Sequence, residues 1–145
     1  MTIKHNFALA VKAIIIKDGK LLVLYRSKKE MAKSMVNKRE VCDLPGGGVR
    51  FYETSLEGLN REIFEETGLT VKVLELFSFY DILRPNLHLS IVTYLCEYES
   101  GEISLSWEHD KHEWIGKEDL KESNLPEWMK RDFLKAFQRY AAADK

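Results

Sequence analysis

The sequence predicts an α+β domain, in the broad α/β class, built on a mixed β-sheet. Three features carry that prediction: two apolar, β-branched runs joined by an Asp-Gly turn, a central helix with both of its ends signalled, and two further long strand segments before a closing helix. A chain of 145 residues suits one hydrophobic core, so a single domain is expected over residues 1–145.

Residues 7–17 are rich in apolar and β-branched side chains, Lys17-Asp18-Gly19-Lys20 supplies a turn, and residues 21–26 resume as a strand. This reads as a β-hairpin. Residues 27–40 carry Lys28, Lys29, Lys33, Lys38 and Arg39 without strand periodicity, which predicts a surface loop with room for a short helical turn. Its cations are either solvated or, for one or two of them, in contact with a phosphate or ribose. Leu44-Pro45-Gly46-Gly47-Gly48 predicts a sharp turn.

Thr54 followed by Glu57 is a capping-box pattern; Leu56, Leu59 and Ile63 recur at helical spacing, and Gly68 supplies the stop, so a helix is expected over Ser55–Thr67. Apolar segments at residues 71–80, 87–98 and 111–115 follow, the first two long enough for strands of the mixed sheet. Asn124-Leu125-Pro126 opens a last helix whose Trp128, Met129, Phe133, Phe137 and Tyr140 form a bulky stripe expected to pack into the core.

Hydrophobic residues make up 45% and charged residues 31%, an ordinary globular balance that excludes wholesale disorder. A net charge of -1 provides no basic field for nucleic acid or an anionic membrane. Cys42 and Cys96 form no CxxC pair, no signal peptide is evident, and no apolar run is long enough to span a bilayer. A cytoplasmic protein that binds neither nucleic acid nor membrane is expected, as a monomer or a homodimer.

The chemistry concentrates on the central helix. At roughly 100° per residue, Glu65 falls about 60° to one side of Glu62 and Glu66 about 40° to the other, so the three carboxylates share a face. Their mutual repulsion is relieved either by a hard divalent cation or by solvent and neighbouring cations such as Arg61.

Gly47, five residues, Glu53, seven residues, then Arg61-Glu62-Ile63-Phe64-Glu65-Glu66-Thr67-Gly68-Leu69 resembles the Nudix box of the Nudix (MutT-like) hydrolases at every fixed position, over residues 47–69. The resemblance implies an αβα sandwich. It implies hydrolysis of the diphosphate bond in a nucleoside diphosphate linked to another moiety, such as an oxidised nucleoside triphosphate, ADP-ribose or a nucleotide sugar. The cofactor implied is Mg2+, with Mn2+ as a substitute. Glu62, Glu65 and Glu66 are the implied metal ligands, joined by the main chain of Gly46. Arg61 is expected to orient the glutamates, and Glu53 either joins that network or reaches a metal through water. Gly47 and Gly68 are expected to be structural.

Similarity to the family also points to a further carboxylate in the segment Trp107-Glu108-His109-Asp110-Lys111-His112-Glu113-Trp114. Glu108 is the candidate, as metal ligand or general base. His109 and His112 are expected to be ordinary polar residues. Arg26 resembles a position where relatives contact the nucleotide. Phe79, Tyr80 and Trp107 are either base-stacking residues or core. Pro85 has the spacing of ADP-ribose-cleaving relatives, and Cys42 stands where many members carry tryptophan. The alternative is a catalytically silent nucleotide sensor, but such relatives tend to lose the glutamates kept here.

Overall fold

The computed structural model describes residues 5–33 and 40–143. The expected loop cations Lys38 and Arg39, and both ends of the expected 1–145 span, lie outside the described residues. Strand β1 (Asn6–Lys17) and strand β2 (Lys20–Arg26) form the predicted hairpin. Asp18 and Gly19 turn it, both at positive φ, as a two-residue hairpin turn demands. Where a loop with a helical turn was expected, a six-residue helix α1 (Lys28–Lys33) follows.

Two short strands, β3 (Cys42–Asp43) and β4 (Gly46–Gly48), flank the Leu44-Pro45 corner. Helix α2 (Ser55–Thr67) has the predicted bounds. The Thr54 hydroxyl accepts the Glu57 N–H and the Glu57 carboxylate accepts the Thr54 N–H, each at 3.1 Å, while Gly68 caps the other end in the left-handed conformation.

Strands β5 (Thr70–Arg84), β6 (Leu87–Ser100) and β7 (His109–Gly116) all outrun their predicted lengths. The extra residues are mostly polar or exposed, and cross-strand pairing extends the strands beyond the apolar runs. A 3-10 turn (Lys117–Asp119) leads to helix α3 (Glu127–Ala143).

The sheet order is β3-β2-β1-β6-β5, with β4 added to β1 and β7 to β2. It is mixed because β1 and β6 run parallel while the other pairs are antiparallel. Alternation along the central strands divides the core into two layers. Ile14, Ile16, Leu21 and Val23 point to one face, where Met129, Phe133 and Phe137 of α3 cover them. Val11, Ala13, Ile15, Leu22 and Leu24 point to the other, under Leu59 and Ile63 of α2. The result is the expected αβα sandwich. The two faces explain why residues 10–16 and 21–24 read as nearly continuous apolar runs: both sides are buried.

Candidate active site

The glycine turn and α2 meet because glycine permits both of their close contacts. Gly46 has φ 142°, and a Cβ there would overlap the Val11 carbonyl oxygen of β1. At Gly47 a Cβ would stand 2.8 Å from the Glu62 carboxyl group. Gly46→Ala is therefore expected to cost about 2 kcal/mol or more of stability, by backbone strain plus the clash. Urea denaturation that leaves this variant within 0.5 kcal/mol of the parent, roughly the scatter of surface changes, would contradict that packing.

The three glutamates, expected on one narrow face, are held in three different settings. Glu66 is buried at 1% exposure, its Oε1 accepting the Gly46 N–H at 3.2 Å. Its Oε2 has no hydrogen-bond partner among the described residues. Glu62 lies against Gly47 and accepts from Arg61 Nη1 at 2.9 Å, while the half-exposed Glu65 accepts from the same nitrogen at 3.3 Å. Arg61 thus draws Glu62 and Glu65 to itself, and among the described residues no group of three or more His, Cys, Asp and Glu side chains stands ready to hold a metal ion.

Arg61 is also gripped by Glu53, Nε to Oε2 at 2.7 Å and Nη2 to Oε1 at 2.9 Å, and it donates to the Gly48 carbonyl at 3.0 Å. Of the two alternatives for Glu53, the structure has it in the arginine network. The hydrogen bonds from Arg61, with the Arg50 N–H, lower its carboxyl to about 2. Burial pushes the Glu66 carboxyl the other way, up to about 9; the charges of Asp43 and Glu108 add to this, while Lys12 and the Gly46 N–H oppose it.

Glu108 sits in the turn before β7, and the Ser106 N–H bonds the Glu66 carbonyl at 3.2 Å. The segment thus folds back onto α2 and brings Glu108 near enough to Glu62 and Glu66 for their charges to act on one another. Burial is the main cause of the raised Glu108 pKa.

Two groups at this end, the partly buried Lys12 and the buried His109, were missed by sequence reasoning. Lys12 Nζ donates to Asp43 Oδ1 at 3.0 Å and to the Leu44 carbonyl at 3.1 Å, and His109 Nε2 lies 2.9 Å from Asp43 Oδ2. His109, expected to be an ordinary polar residue, is 3% exposed. It ties β7 to the glycine turn. The available signal was Lys12 itself, a lone charge inside an apolar strand buried on both faces.

Despite the opposing effect of burial, Lys12 and His109 hold Asp43 down to about 2, against an ordinary value of 3.8. A depressed carboxyl stabilises the fold above its unfolded pKa and loses that contribution as pH falls through the folded one. Stability should therefore drop from about pH 4 towards pH 2, and Asp43→Asn should flatten that part of the profile. Urea titrations at several pH values in this window test it, and identical slopes for the two proteins would contradict the coupling.

A cavity of about 270 Å3 opens beside Gly47, bounded by Lys12, Arg26, Tyr80, Trp128 and Asp132 among others. Arg26, the expected nucleotide contact, lines it, but its Nε is bonded to Glu30 at 2.6 Å and its Nη1 to the Glu40 carbonyl at 2.8 Å. Phe79, Tyr80 and Trp107 are about half exposed or more, so the core alternative for them fails. Trp107 is approached by the ammonium groups of Lys29 and Lys33, which gives those loop cations a partner besides water. Pro85 sits in the tight turn between β5 and β6, beside Asn6. That is six residues along β1 from the Lys12–Gly46 pair, about 20 Å away. Cys42, with a small side chain, lines the cavity.

Known proteins are similar to this chain. The ADP-ribose pyrophosphatase of Methanocaldococcus jannaschii is 33% identical over 121 residues, which is 82% of this chain and 64% of that protein. The NAD-capped RNA hydrolase NudC of Haemophilus influenzae is 42% identical over 59 residues, 41% of this chain and 22% of that protein. The chain thus spans less than two thirds of the length of either relative. Among solved structures, the MutT protein from Methanosarcina mazei Go1 matches with a TM-score of 0.71 at 26% identity, over 99% of both chains. Residues 6–137 match the NUDIX domain, so the chain belongs to the Nudix family.

Proposed function

We propose that this protein hydrolyses the diphosphate bond of a nucleoside diphosphate linked to another moiety, with magnesium as cofactor. The observation that carries the reading is Glu66: a buried carboxylate bonded to the Gly46 N–H, one residue from the Gly47 that lines the cavity, whose Oε2 lacks a hydrogen-bond partner among the described residues. An unsatisfied buried carboxylate oxygen is costly, which suits a place where a cation binds.

The donor set is all oxygen, fitting magnesium or manganese. Glu62, Glu65, Glu66 and the main chain of Gly46 would hold the metal, with Glu108 as supplement and Glu53 acting through Arg61. When bound, it supplies charge neutralisation at the diphosphate oxygens and a more acidic water.

The chain's own groups have separable tasks. Arg61 keeps Glu62 and Glu65 adjacent despite their like charge and is itself locked by Glu53. Glu108, with its raised pKa, is suited to take the proton of the attacking water at its carboxylate. The cavity receives the nucleoside, with Arg26 on its wall, and the missing side chain at Gly47 lets the Glu62 carboxylate pack against the glycine turn.

This reading takes residues 1–145 as one catalytic unit acting on small nucleotides in the cytoplasm. Among the described residues no helix is long and apolar enough to cross a membrane. The relatives' names put ADP-ribose and NAD-linked compounds in the test panel, beside nucleotide sugars and oxidised nucleoside triphosphates. Chromatography of the nucleotide products, with and without magnesium, should reveal cleavage within the diphosphate of at least one compound. Failure to cleave any of them would return the protein to the silent-sensor reading.

A further inference from the structure

The cavity beside Gly47 has an end wall with no part in the hydrolysis described above. Trp128 and Asp132 stand four residues apart on α3 and therefore on one face, and Tyr80 of β5 is close enough to feel the Asp132 charge. Ile82, Leu89 and Ile91 supply apolar walls. The Trp128 indole is fixed by donating Nε1–H to Glu40 Oε2 at 3.2 Å.

Most charged groups in this cavity are engaged. Lys12 is bonded to Asp43 and the Leu44 carbonyl, and Arg26 to Glu30 and the Glu40 carbonyl. Asp132 differs, because among the described residues no hydrogen bond or ion pair fixes its carboxylate; the charges of Arg131 and Lys135 favour its ionised form, against partial burial. A second phosphate would meet cations that already have partners and a carboxylate that repels it. An uncharged, flat group bearing N–H donors would meet an indole face and an acceptor-only side chain.

We propose that Asp132 is a specificity-determining residue that accepts the exocyclic amino group of a nucleobase lying against Trp128. This rests on the reading that the cavity receives the nucleoside end of the substrate. The ligands favoured are nucleotides of adenine, guanine or cytosine over the bases that lack the exocyclic amino group, hypoxanthine and uracil.

The experiment is calorimetric titration of nucleoside monophosphates into wild-type protein and Asp132→Ala, paired as AMP or GMP against IMP and as CMP against UMP. In the wild type, at least one amino-bearing nucleotide should bind about 10- to 100-fold more tightly than its partner, the range for a hydrogen bond to a charged group. Asp132→Ala should remove that gap while the affinity for IMP and UMP stays within about twofold, because an uncharged pair loses nothing there. Equal affinities within every pair, a gap that survives the substitution, or no binding of any monophosphate at millimolar concentration would overturn the proposal.

Should the Ala variant fail to fold, Asp132→Ser carries the same comparison, and the wild-type ranking stands on its own. A parallel magnesium-dependent cleavage assay separates the two ideas. A base preference without cleavage would refute hydrolysis and leave the Asp132 role standing, whereas cleavage with no base preference would do the reverse.

Discussion

Glu66→Gln is expected to lower turnover by at least about 100-fold while leaving the protein as stable as the parent or more so. The two effects have one cause. In the unfolded chain this carboxyl ionises above about its ordinary 4.5, but in the folded protein burial holds it up to about 9. At neutral pH, without metal, the native state carries a penalty that the unfolded state escapes, so stability is lost as pH rises between those values. Glutamine removes the charge and keeps an oxygen for the Gly46 N–H. Glu65→Gln should lower turnover comparably with little change in stability, since Glu65 is half exposed. Near-parental turnover in both purified variants, on a substrate whose cleavage requires metal, would remove these residues from the site.

Glu108→Gln should lower kcat by roughly 10- to 1000-fold, the range seen when a general base is lost. Two readouts distinguish its tasks. Loss of a base should flatten the acidic limb of the pH-rate profile, whereas loss of a ligand should be reversed by more magnesium. Folding stability should hardly move, because the turn is held through the Glu108 carbonyl, which accepts the Ser27 N–H at 2.8 Å, and not through its side chain. A variant with parental kcat, magnesium dependence and pH profile would eliminate Glu108 and direct attention to Glu113, whose carboxylate accepts a hydrogen bond from the Tyr25 hydroxyl at 2.6 Å.

What could be read from the sequence divides by the range of the interactions involved. The Thr54 and Glu57 box, the Gly68 cap and the Asp18-Gly19 turn act within a few residues, and each is present where it was expected. Arg61 with Glu62 was expected from the resemblance to the Nudix box, which left Glu53 open between this network and a metal-bound water; the structure has both carboxylates on Arg61. The Lys12, Asp43 and His109 cluster was not legible, because its members come from three separate strands or turns. Glu62, Glu65 and Glu66 were placed on one face by angle alone. Angle says nothing about depth, so the burial of Glu66 and the diversion of the other two to Arg61 needed the surrounding structure. Trp128 was read as core from helical spacing; it packs against the core yet also walls the cavity, a double duty invisible in periodicity.

The parallel pairing of β1 with β6 bears on how the protein reaches this state. Asn6 pairs Leu87 and Ile16 pairs Glu97, so every rung joins residues about eighty positions apart. No local turn can start such a ladder, and the intervening chain, including α2 and all of β5, must be looped out first. The β1-β2 hairpin and α2 can form early from nearby contacts, but β1 keeps an open edge until β6 arrives. During synthesis at about 5 to 20 residues per second, that edge waits for seconds with apolar side chains on both faces. This interval is the protein's period of greatest exposure to misassociation, and slow, topology-limited folding is the expected kinetic signature.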